Sequence, residues 1–263
     1  MMGRIEAVFS QLKKPAFIGF TVAGDPDRET CIRAATALIE GGTDILELGV
    51  PFSDPVADGP TIQKADERSL AAGTKIDTVF DIVRELRKKT DVPIVLLVYY
   101  NMVFHRGIDR FYKEAHEAGV DGILIADMPV EESDDVYKTA VRYGIDPIFL
   151  VTQTTSDERV NKIAARARGY LYLVAVLGVT GVRDTVSSGA IDLLQRVRNQ
   201  TGIPLALGFG ISTPEHVKIC ARAGADGIIV GSAIVEIIER NLGTPGAMVR
   251  DLKTYVAQMK KAL

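Results

Sequence analysis

The sequence predicts a closed (β/α)8 barrel, in which parallel strands alternate with helices around a ring. Short apolar segments alternate with helical patterns along all 263 residues, and no change in composition marks a second domain. Most of these segments are entered through either a proline or a Gly-x-Asp triplet, a regularity that resembles an old internal duplication. We therefore expect a single barrel domain over residues 1–263 with an extra N-terminal helix. A doubly wound open sheet is the alternative.

Hydrophobic spacing places the elements in order. Apolar residues recur at helical intervals from Ile5 to Leu12, which predicts a short helix that plugs the bottom of the barrel. The predicted strands are Ala16–Thr21, the apolar run that begins at Asp44, Ile94–Tyr99, Gly122–Ala126, Pro147–Val151, Tyr170–Ala175, Leu205–Leu207 and Gly227–Val230. The predicted helices are Arg28–Glu40, Thr61–Ala71, Ile76–Lys89, Ile108–Glu117, Glu131–Arg142, Asp157–Ala167, Ile191–Gln200, Pro214–Ala223, Ile234–Glu239 and Ala247–Met259.

Two kinds of turn lead into the strands. Proline is tolerated at the first residue of a strand, where no ladder donor is lost, and it precedes or begins the odd-numbered strands. In the Gly-x-Asp triplets, the glycine is expected to end a helix in the left-handed region and the aspartate to tighten the turn. The prolines are Pro15, Pro93, Pro147 and Pro204, the triplet glycines are Gly42, Gly119 and Gly224, and Gly169 alone precedes strand six.

Composition excludes several classes of protein. A formal net charge of −3 leaves no basic surface for nucleic acid. Cys31 and Cys220 fall inside helical patterns, which is typical of reduced, buried thiols rather than a disulfide framework. No apolar run is long enough to span a bilayer, and no secretory signal is visible. We expect a cytoplasmic protein that binds neither nucleic acid nor membrane.

One strand and its loop carry the strongest sign of chemistry. Glu47 lies in the middle of the second apolar strand, and a buried carboxylate normally shifts its pKa or finds a partner. The following loop contains three prolines and holds Asp54 and Asp58 on a stiff segment. Two acids in one βα unit, one buried and one on a preset loop, suit acid/base catalysis with divided roles. The alternative is a solvated Glu47 with two ordinary turn aspartates.

Three glycine-rich segments follow the last three predicted strands, where a barrel places its active-site loops. Glycine lets backbone amides approach an anion closely, and a helix that starts at Ser232 would point free N–H groups at it. The last two segments contain no lysine or arginine, so the predicted phosphate site depends on neutral amides and a helix dipole. Glycines that only end strands are the alternative. The segments are Gly178–Gly181, Gly208–Ser212 and Gly231–Ala233.

Other chemistries lack the residues that they need. No predicted strand contains a lysine, which argues against a Schiff base inside the barrel. His105, His116 and His216 are scattered, and the last two fall in outer helices, so we expect no metal site. Neither a nucleophile elbow nor a dinucleotide-binding glycine motif is present. The remaining prediction is general acid/base catalysis without a cofactor.

These motifs together resemble the tryptophan synthase α subunit family. The resemblance is carried by Glu47–Pro60, Gly178–Gly181, Gly208–Ser212 and Gly231–Val235, and it runs nearly from end to end. It implies a lyase of tryptophan biosynthesis that converts indole-3-glycerol phosphate to indole and glyceraldehyde 3-phosphate. It also implies a β subunit that receives the indole through a tunnel, in an αββα assembly.

The resemblance also implies roles for individual residues. Glu47 would be the general acid/base, Asp58 its partner at the indole nitrogen, and Tyr172 a residue beside the reacting centre, although ordinary aromatic packing is the alternative for Tyr172. The implied substrate-binding residues are Phe20, Leu97, Tyr99, Leu124, Ala126 and Leu150 around the indole, and Thr180, Gly181, Phe209, Gly210, Gly231 and Ser232 around the phosphate. The implied contacts with the β subunit are Pro51, Asp54, Asn101 and Pro129.

The chemistry of that reaction agrees with these residues. The bond between indole C3 and its side chain breaks only after C3 is protonated, and protonation places positive charge on the ring nitrogen. A buried Glu47 with a raised pKa would deliver the proton near neutral pH, and an ionised Asp58 would stabilise the ring cation. Two rivals stay open, namely another phosphosugar barrel enzyme such as an isomerase, and a non-catalytic module that activates a β partner. A lyase that needs no partner subunit is a variant of the tryptophan synthase interpretation.

Overall fold

The chain folds as a closed barrel of parallel strands, which confirms the predicted fold class. The computed structural model describes residues 2–174, 188–208 and 210–263, and within these ranges eight strands form the ring in chain order. The last strand pairs with the first, with Ala16 opposite Gly227, so the sheet has no free edge. The strands are β1 (Ala16–Val22), β2 (Ile45–Gly49), β3 (Ile94–Val98), β4 (Gly122–Ile125), β5 (Asp146–Thr152), β6 (Leu171–Val174), β7 (Leu205–Gly208) and β8 (Gly227–Val230).

Helices cover the outside of the ring and the end at which the strands begin, which we call the lower end. The upper end is the one at which the strands finish. Within the same ranges the helices are α1 (Arg4–Gln11), α2 (Arg28–Gly41), α3 (Pro60–Ala71), α4 (Ile76–Arg87), α5 (Tyr100–Arg106), α6 (Ile108–Ala118), α7 (Asp134–Arg142), α8 (Asp157–Arg166), α9 (Ser188–Arg198), α10 (Pro214–Arg222), α11 (Ser232–Arg240) and α12 (Pro245–Lys261). In the described part of the chain, no helix combines the length and the apolarity needed to cross a bilayer.

Successive strand residues point alternately into the ring and toward the helices, because the side-chain period of a strand is two. The outward residues pack with the helices in one large apolar layer, which includes Phe17, Leu46 and Leu173. Ile5 of α1 is fully buried and packs against the lower end of the inner layer, as predicted. Burying such a side chain contributes about 1.5–3 kcal/mol. The inner layer consists of Ile18, Ile45, Val95, Leu124, Ile148, Tyr170, Tyr172, Ala206 and Ile229.

The glycines of the Gly-x-Asp triplets have the predicted conformation. Gly42, Gly119 and Gly224 have φ values of 113°, 96° and 93°, in the region that a side chain disfavours. Gly42 and Gly119 directly follow α2 and α6, where their N–H groups bond to carbonyls of the last turn.

The aspartates of these triplets accept hydrogen bonds from the neighbouring strand and not from their own turns, which corrects the prediction. Asp44 Oδ2 accepts a hydrogen bond of 2.7 Å from the backbone N–H of Phe17, which lies in the preceding strand. Asp121 accepts one of 2.8 Å from Ile94 in the same way, and Asp226 does so for Leu205. Each aspartate therefore ties the entrance of its own strand to that of the strand before it.

Several predicted boundaries were wrong around two loops. The strand predicted to end at Tyr99 ends at Val98, and Tyr99 precedes α5, a helix that was not predicted. The helix predicted from Glu131 begins at Asp134, after a separate 3₁₀ turn at Val130–Glu132. Both segments lie at the carboxyl ends of strands, where short helices interrupt the loops.

Smaller differences occur at the ends of several other elements, including two strands and one helix. β5 begins at Asp146, so Pro147 is its second residue and not its first. β6 begins at Leu171 rather than Tyr170, and the predicted end at Ala175 lies outside the described residues. α9 runs from Ser188 to Arg198, so it begins three residues before the predicted start and ends two residues before the predicted end. Cys31 and Cys220 are buried free thiols, as predicted.

Candidate active site

Glu47 lies inside the barrel, on the same face of β2 as Ile45, and it is fully buried. Its Oε1 accepts a hydrogen bond of 3.0 Å from the hydroxyl of Tyr170, which is also fully buried. Its Oε2 has no hydrogen-bond partner among the described residues. Burial raises the pKa of Glu47 to about 7, against a smaller lowering by the Tyr170 hydrogen bond. The carboxyl can therefore hold or release a proton near neutral pH.

Asp58 lies on the loop between β2 and α3, where Tyr99 holds it. The Tyr99 hydroxyl donates a 2.7 Å hydrogen bond to Asp58 Oδ2 and accepts one of 3.0 Å from the N–H of Ala57. The ring of Phe52, on the same loop, stacks on Tyr99 with ring centroids 4.9 Å apart. Burial raises the pKa of Asp58, and the Tyr99 hydrogen bond lowers it. The expected negative charge on Asp58 thus depends on Tyr99 and not on a solvated loop.

Tyr172 lies at the upper end of the inner layer, within electrostatic reach of both acids. Burial is the main cause that raises its pKa well above 10, and the charges of Glu47 and Asp58 raise it further. Both carboxyls are therefore close enough to act on the Tyr172 hydroxyl. A Cβ on Gly208 would come within 2.5 Å of the Tyr172 Oη, so only glycine lets β7 approach this ring.

The predicted indole-binding residues form a largely apolar wall above Glu47. Phe20, Tyr99 and Leu124 are buried. Leu97, Ala126 and Leu150 are half-buried and pack against the inner layer. Four of these six side chains come from strands β1, β3, β4 and β5. The other two, Tyr99 and Ala126, directly follow β3 and β4. A flat aromatic ring fits such a wall better than a hydrated sugar, because apolar surface gains most from burial.

The predicted phosphate-binding residues are only partly described. Ser232 begins α11, and Gly231 precedes it without any side-chain cap, so the first-turn N–H groups are not occupied by a capping side chain. Gly210 is exposed, with a φ of 73°. A Cβ on Gly231 would lie 3.2 Å from the Phe20 ring, which places the start of α11 beside the apolar wall. The predicted residues Thr180, Gly181 and Phe209 lie outside the described residues.

The four residues implied to contact a β subunit differ in exposure. Asp54, Asn101 and Pro129 are exposed on loops or helices that follow β2, β3 and β4. Pro51 is buried and has little surface to offer. Three of the four side chains are therefore available at the upper end of the barrel.

Sequence reasoning missed four residues in or around this site. Tyr170 is the partner of Glu47, and the signal was its position two residues from Tyr172, on the same face. Asp66 of α3 is 4% exposed, and burial together with the charges of Asp58 and Asp25 raises its pKa to about 8. Val56 and Phe104 are large apolar residues that are 85% and 65% exposed. No sequence pattern distinguishes these last two from buried apolar residues.

The arrangement provides a proton donor, a nearby carboxylate and an apolar wall, next to backbone amides that can bind an anion. Among the residues that the structure describes, no group of three or more histidine, cysteine, aspartate or glutamate side chains is placed to hold a metal ion. The chemistry that these residues can perform is proton transfer to and from a bound aromatic substrate.

Comparison with known proteins points to one enzyme family over nearly the whole chain. The family model described as "Tryptophan synthase alpha chain" matches residues 7–263. A tryptophan synthase alpha chain from Methanoregula boonei is 71% identical over 100% of this chain and 99% of its own length. One from Methanothermobacter thermautotrophicus is 47% identical over 94% of this chain and 92% of its own length.

A solved structure agrees in fold as well as in sequence. A chain from the tryptophan synthase a2b2 complex of Pyrococcus furiosus superposes with a TM-score of 0.90 and 39% identity, over 95% of this chain and 100% of its own. The matches cover almost the full chain, at identities well above those at which only a fold is shared. The chain therefore belongs to the tryptophan synthase alpha chain family, the carbon–carbon lyases of tryptophan biosynthesis whose reaction is the cleavage of indole-3-glycerol phosphate.

Proposed function

We propose that Glu47 is the general acid/base of this cleavage and that Asp58 is its electrostatic partner. The observation that carries the proposal is the Glu47 carboxyl, which is fully buried inside the barrel with one oxygen lacking a described partner. An unpaired buried carboxyl is costly, so its retention needs a use. Its pKa of about 7 fits a group that gives and takes a proton near neutral pH.

The proposed step moves one proton in each direction. Glu47 protonates indole C3, which leaves positive charge on the ring nitrogen. The bond from C3 to the side chain then breaks, its electron pair returns to the ring, and the side-chain hydroxyl loses its proton as the aldehyde forms. The Glu47 carboxylate left by the first transfer is the proposed acceptor of that proton. A positioned acid/base of this kind typically increases the reaction rate by about 10²–10⁴-fold.

Asp58 would stabilise the ring cation during this step. Its carboxyl raises the pKa of Tyr172, as that of Glu47 does, so the two acids act on a common region. The Tyr99 hydroxyl favours the ionised form of Asp58, which is the form that stabilises positive charge. A fixed negative charge in a site that excludes water is worth more than one in solution.

The two ends of the substrate would lie on different parts of the barrel. The indole would pack on the wall that includes Phe20 and Leu97, and the phosphate would accept hydrogen bonds from backbone amides near Gly210 and Ser232. Phe20 links the two parts, because its ring lies beside Gly231 as well as in the wall. Thr180, Gly181 and Phe209 complete the proposed set of phosphate-binding residues.

A β subunit is the proposed partner at the upper end of the barrel. The related Pyrococcus furiosus protein is part of an a2b2 complex with mutual activation. In this chain, Val56 and Phe104 expose large apolar side chains at the same end as Asp54, Asn101 and Pro129. Contiguous apolar patches rimmed by polar residues mark protein interaction sites, and these two side chains would supply the apolar part of such a patch. We propose that these residues, with Pro51, form or border that contact.

The chain as a whole is proposed to be one domain that works in the cytoplasm. Helix α12 packs against α2, so the two ends of the chain belong to one body, and the barrel ring closes between β1 and β8. The free thiols of Cys31 and Cys220 suit a reducing compartment.

The test is an assay of indole formation from indole-3-glycerol phosphate, first with the isolated chain and then with added β subunit. We expect indole from the isolated chain and faster formation with the partner. Turnover of an aldose phosphate without indole formation would favour an isomerase instead. Activation of the β subunit without any indole formation would favour a non-catalytic module.

A further inference from the structure

The C-terminal helix α12 touches one arm of the proposed phosphate site directly and bonds to the far end of α11, the helix whose start forms the other arm. Tyr255 Oη donates a hydrogen bond of 2.9 Å to the carbonyl oxygen of Ser212, on the loop between β7 and α10. One turn earlier, Asp251 Oδ2 accepts a hydrogen bond of 3.1 Å from the side-chain amide of Asn241, the residue that ends α11. The loop and the start of α11 are the two proposed sources of phosphate-binding amides.

Ser212 is held from two sides. Its backbone N–H donates to His216 Nδ1 over 3.3 Å, while its carbonyl accepts from Tyr255. The next residue, Thr213, caps α10 by accepting a 3.2 Å hydrogen bond from the N–H of His216. Gly210 lies two residues before Ser212, so the orientation of its amide depends on where this segment is fixed.

The space around Tyr255 makes the hydrogen bond important. An open cleft of about 500 Å³ lies beside Tyr255 between α11 and α12, so the hydrogen bond adds a fixed contact where side-chain packing is incomplete. Burial raises the pKa of Tyr255, so its hydroxyl stays a hydrogen-bond donor over the working range of an enzyme. The cleft is lined by Ile237, Arg240, Asn241, Asp251, Thr254, Tyr255 and Gln258.

We infer that Tyr255 is a positioning residue for phosphate binding, because its hydrogen bond to Ser212 ties the β7 loop to α12, which also bonds to the end of α11. The inference depends on the proposed role of Gly210, Gly231 and Ser232. Tyr255 touches neither the apolar wall nor the two acids, so it acts on the affinity for the phosphate group and leaves the proton-transfer step unchanged.

The test is the Tyr255→Phe variant, which removes the hydroxyl and keeps the ring. A hydrogen bond of this kind contributes about 0.5–1.5 kcal/mol, so we expect a roughly 2- to 13-fold rise in the Kd for glycerol 3-phosphate and in the KM for indole-3-glycerol phosphate. The kcat should stay within a factor of two. The matched control is Tyr143→Phe, which removes a tyrosine hydroxyl that bonds to Asp109 between α6 and α7, and it should change neither constant.

Two results would overturn the inference. One is an unchanged Kd for glycerol 3-phosphate in Tyr255→Phe. The other is an equal loss in kcat and in affinity together with a lower unfolding temperature, which would indicate a merely structural role.

A third variant separates this inference from the proposed phosphate site. Ser232→Asp places a negative charge at the N-terminus of α11, where it suits the helix dipole but repels a phosphate. If Ser232→Asp abolishes binding of glycerol 3-phosphate while Tyr255→Phe does not weaken it, only the inference about Tyr255 fails. If Ser232→Asp leaves binding intact, the phosphate site and the inference fail together.

Discussion

The hydroxyl of Tyr170 donates a hydrogen bond of 3.0 Å to the Glu47 carboxyl, across the inside of the barrel and between residues 123 positions apart. Both side chains are fully buried. The hydrogen bond favours the carboxylate, and the surrounding apolar layer favours the neutral acid. The balance places the pKa of Glu47 at about 7, where either form is accessible at small cost. A group that must first donate a proton and then accept one needs this balance.

Replacement of Glu47 by glutamine should abolish indole formation and leave the binding of glycerol 3-phosphate unchanged. Glutamine keeps the size of the side chain and can still accept from Tyr170, but it has no proton to give at working pH. We expect kcat to fall by about 10²–10⁴-fold. Single-turnover assays and calorimetric binding would measure the two effects. Turnover at the wild-type rate would remove Glu47 from the mechanism.

Replacement of Tyr170 by phenylalanine should move the pH dependence of kcat to higher pH. The Tyr170 hydrogen bond lowers the pKa of Glu47, so its loss leaves burial unopposed and raises that pKa further. The proton-donating form then persists to higher pH, and the alkaline decline in kcat, expected near pH 7 in the parent, shifts upward. At the low-pH plateau, kcat should change by less than about threefold, since the acid form is already saturated there.

The Tyr170 result is checked with kcat measured from pH 5.5 to 9 in both proteins. Tyr112→Phe is the matched control, because Tyr112 is a buried tyrosine between the barrel and the helices, away from Glu47. A shift toward lower pH in Tyr170→Phe would contradict the assigned direction.

Replacement of Tyr99 by phenylalanine should lower kcat/KM by about 10- to 100-fold, since a hydrogen bond to a charged group contributes about 1.5–3 kcal/mol. The change removes the donor to Asp58 and the acceptor of the Ala57 N–H, while the stacked ring remains. If Tyr99 acts through Asp58, the same change should add little in an Asp58→Asn background. Fully additive losses in the double variant would show that Tyr99 acts independently of Asp58.

The order of elements could be read from the sequence, because strand and helix periods are local properties. The position of Glu47 inside the ring follows from the same logic, since Ile45, Glu47 and Gly49 share one face of a strand. Helix α5 was missed because its seven residues begin one residue after the end of a strand, in a stretch where a loop was expected. A helix of two turns leaves too few positions for a clear apolar period.

The partners of the site residues could not be read in this way. Tyr170 meets Glu47 only because the ring closes, and nothing near either residue encodes that distance. Asp66 lies in a polar segment that looks like a solvated helix face, and its burial arises from the packing of α3 against β1 and α11. Long-range contacts of this kind come from tertiary structure and not from the local pattern.

Replacement of Asp121 by alanine should destabilise the barrel by about 2–4 kcal/mol, because the N–H of Ile94 loses its acceptor and the nearly buried Arg87 loses its ion pair. Asp121 accepts from the N–H of Ile94 and forms ion pairs with Arg87 and Arg4. Asp121→Asn should cost less, since its amide oxygen can still accept from Ile94. Urea unfolding followed by circular dichroism gives both values. A loss below about 0.5 kcal/mol in the alanine variant, the range of ordinary surface changes, would contradict the strand-entrance role.

Replacement of Asp66 by asparagine should stabilise the protein at pH 8 and have little effect at pH 4. Burial, with the charges of Asp58 and Asp25, raises the pKa of Asp66 to about 8 in the folded state, from a value of about 4 in the unfolded chain. Between these values the folded state binds a proton that the unfolded state has released. Stability therefore falls as pH rises from about 4 to about 8, and asparagine removes that loss.

The expected gain for Asp66→Asn is on the order of a few kcal/mol at pH 8, measured as the difference in the free energy of unfolding between variant and parent. Glu47 also has a raised pKa, but it is present in both proteins, so its effect on the free energy of unfolding cancels when the two are compared. Glu67→Gln is the control, because it removes a carboxylate from the exposed neighbour on the same helix and should give a small change at every pH. A gain that is the same at pH 4 and pH 8 would mean that Asp66 is ionised in the folded state throughout this range.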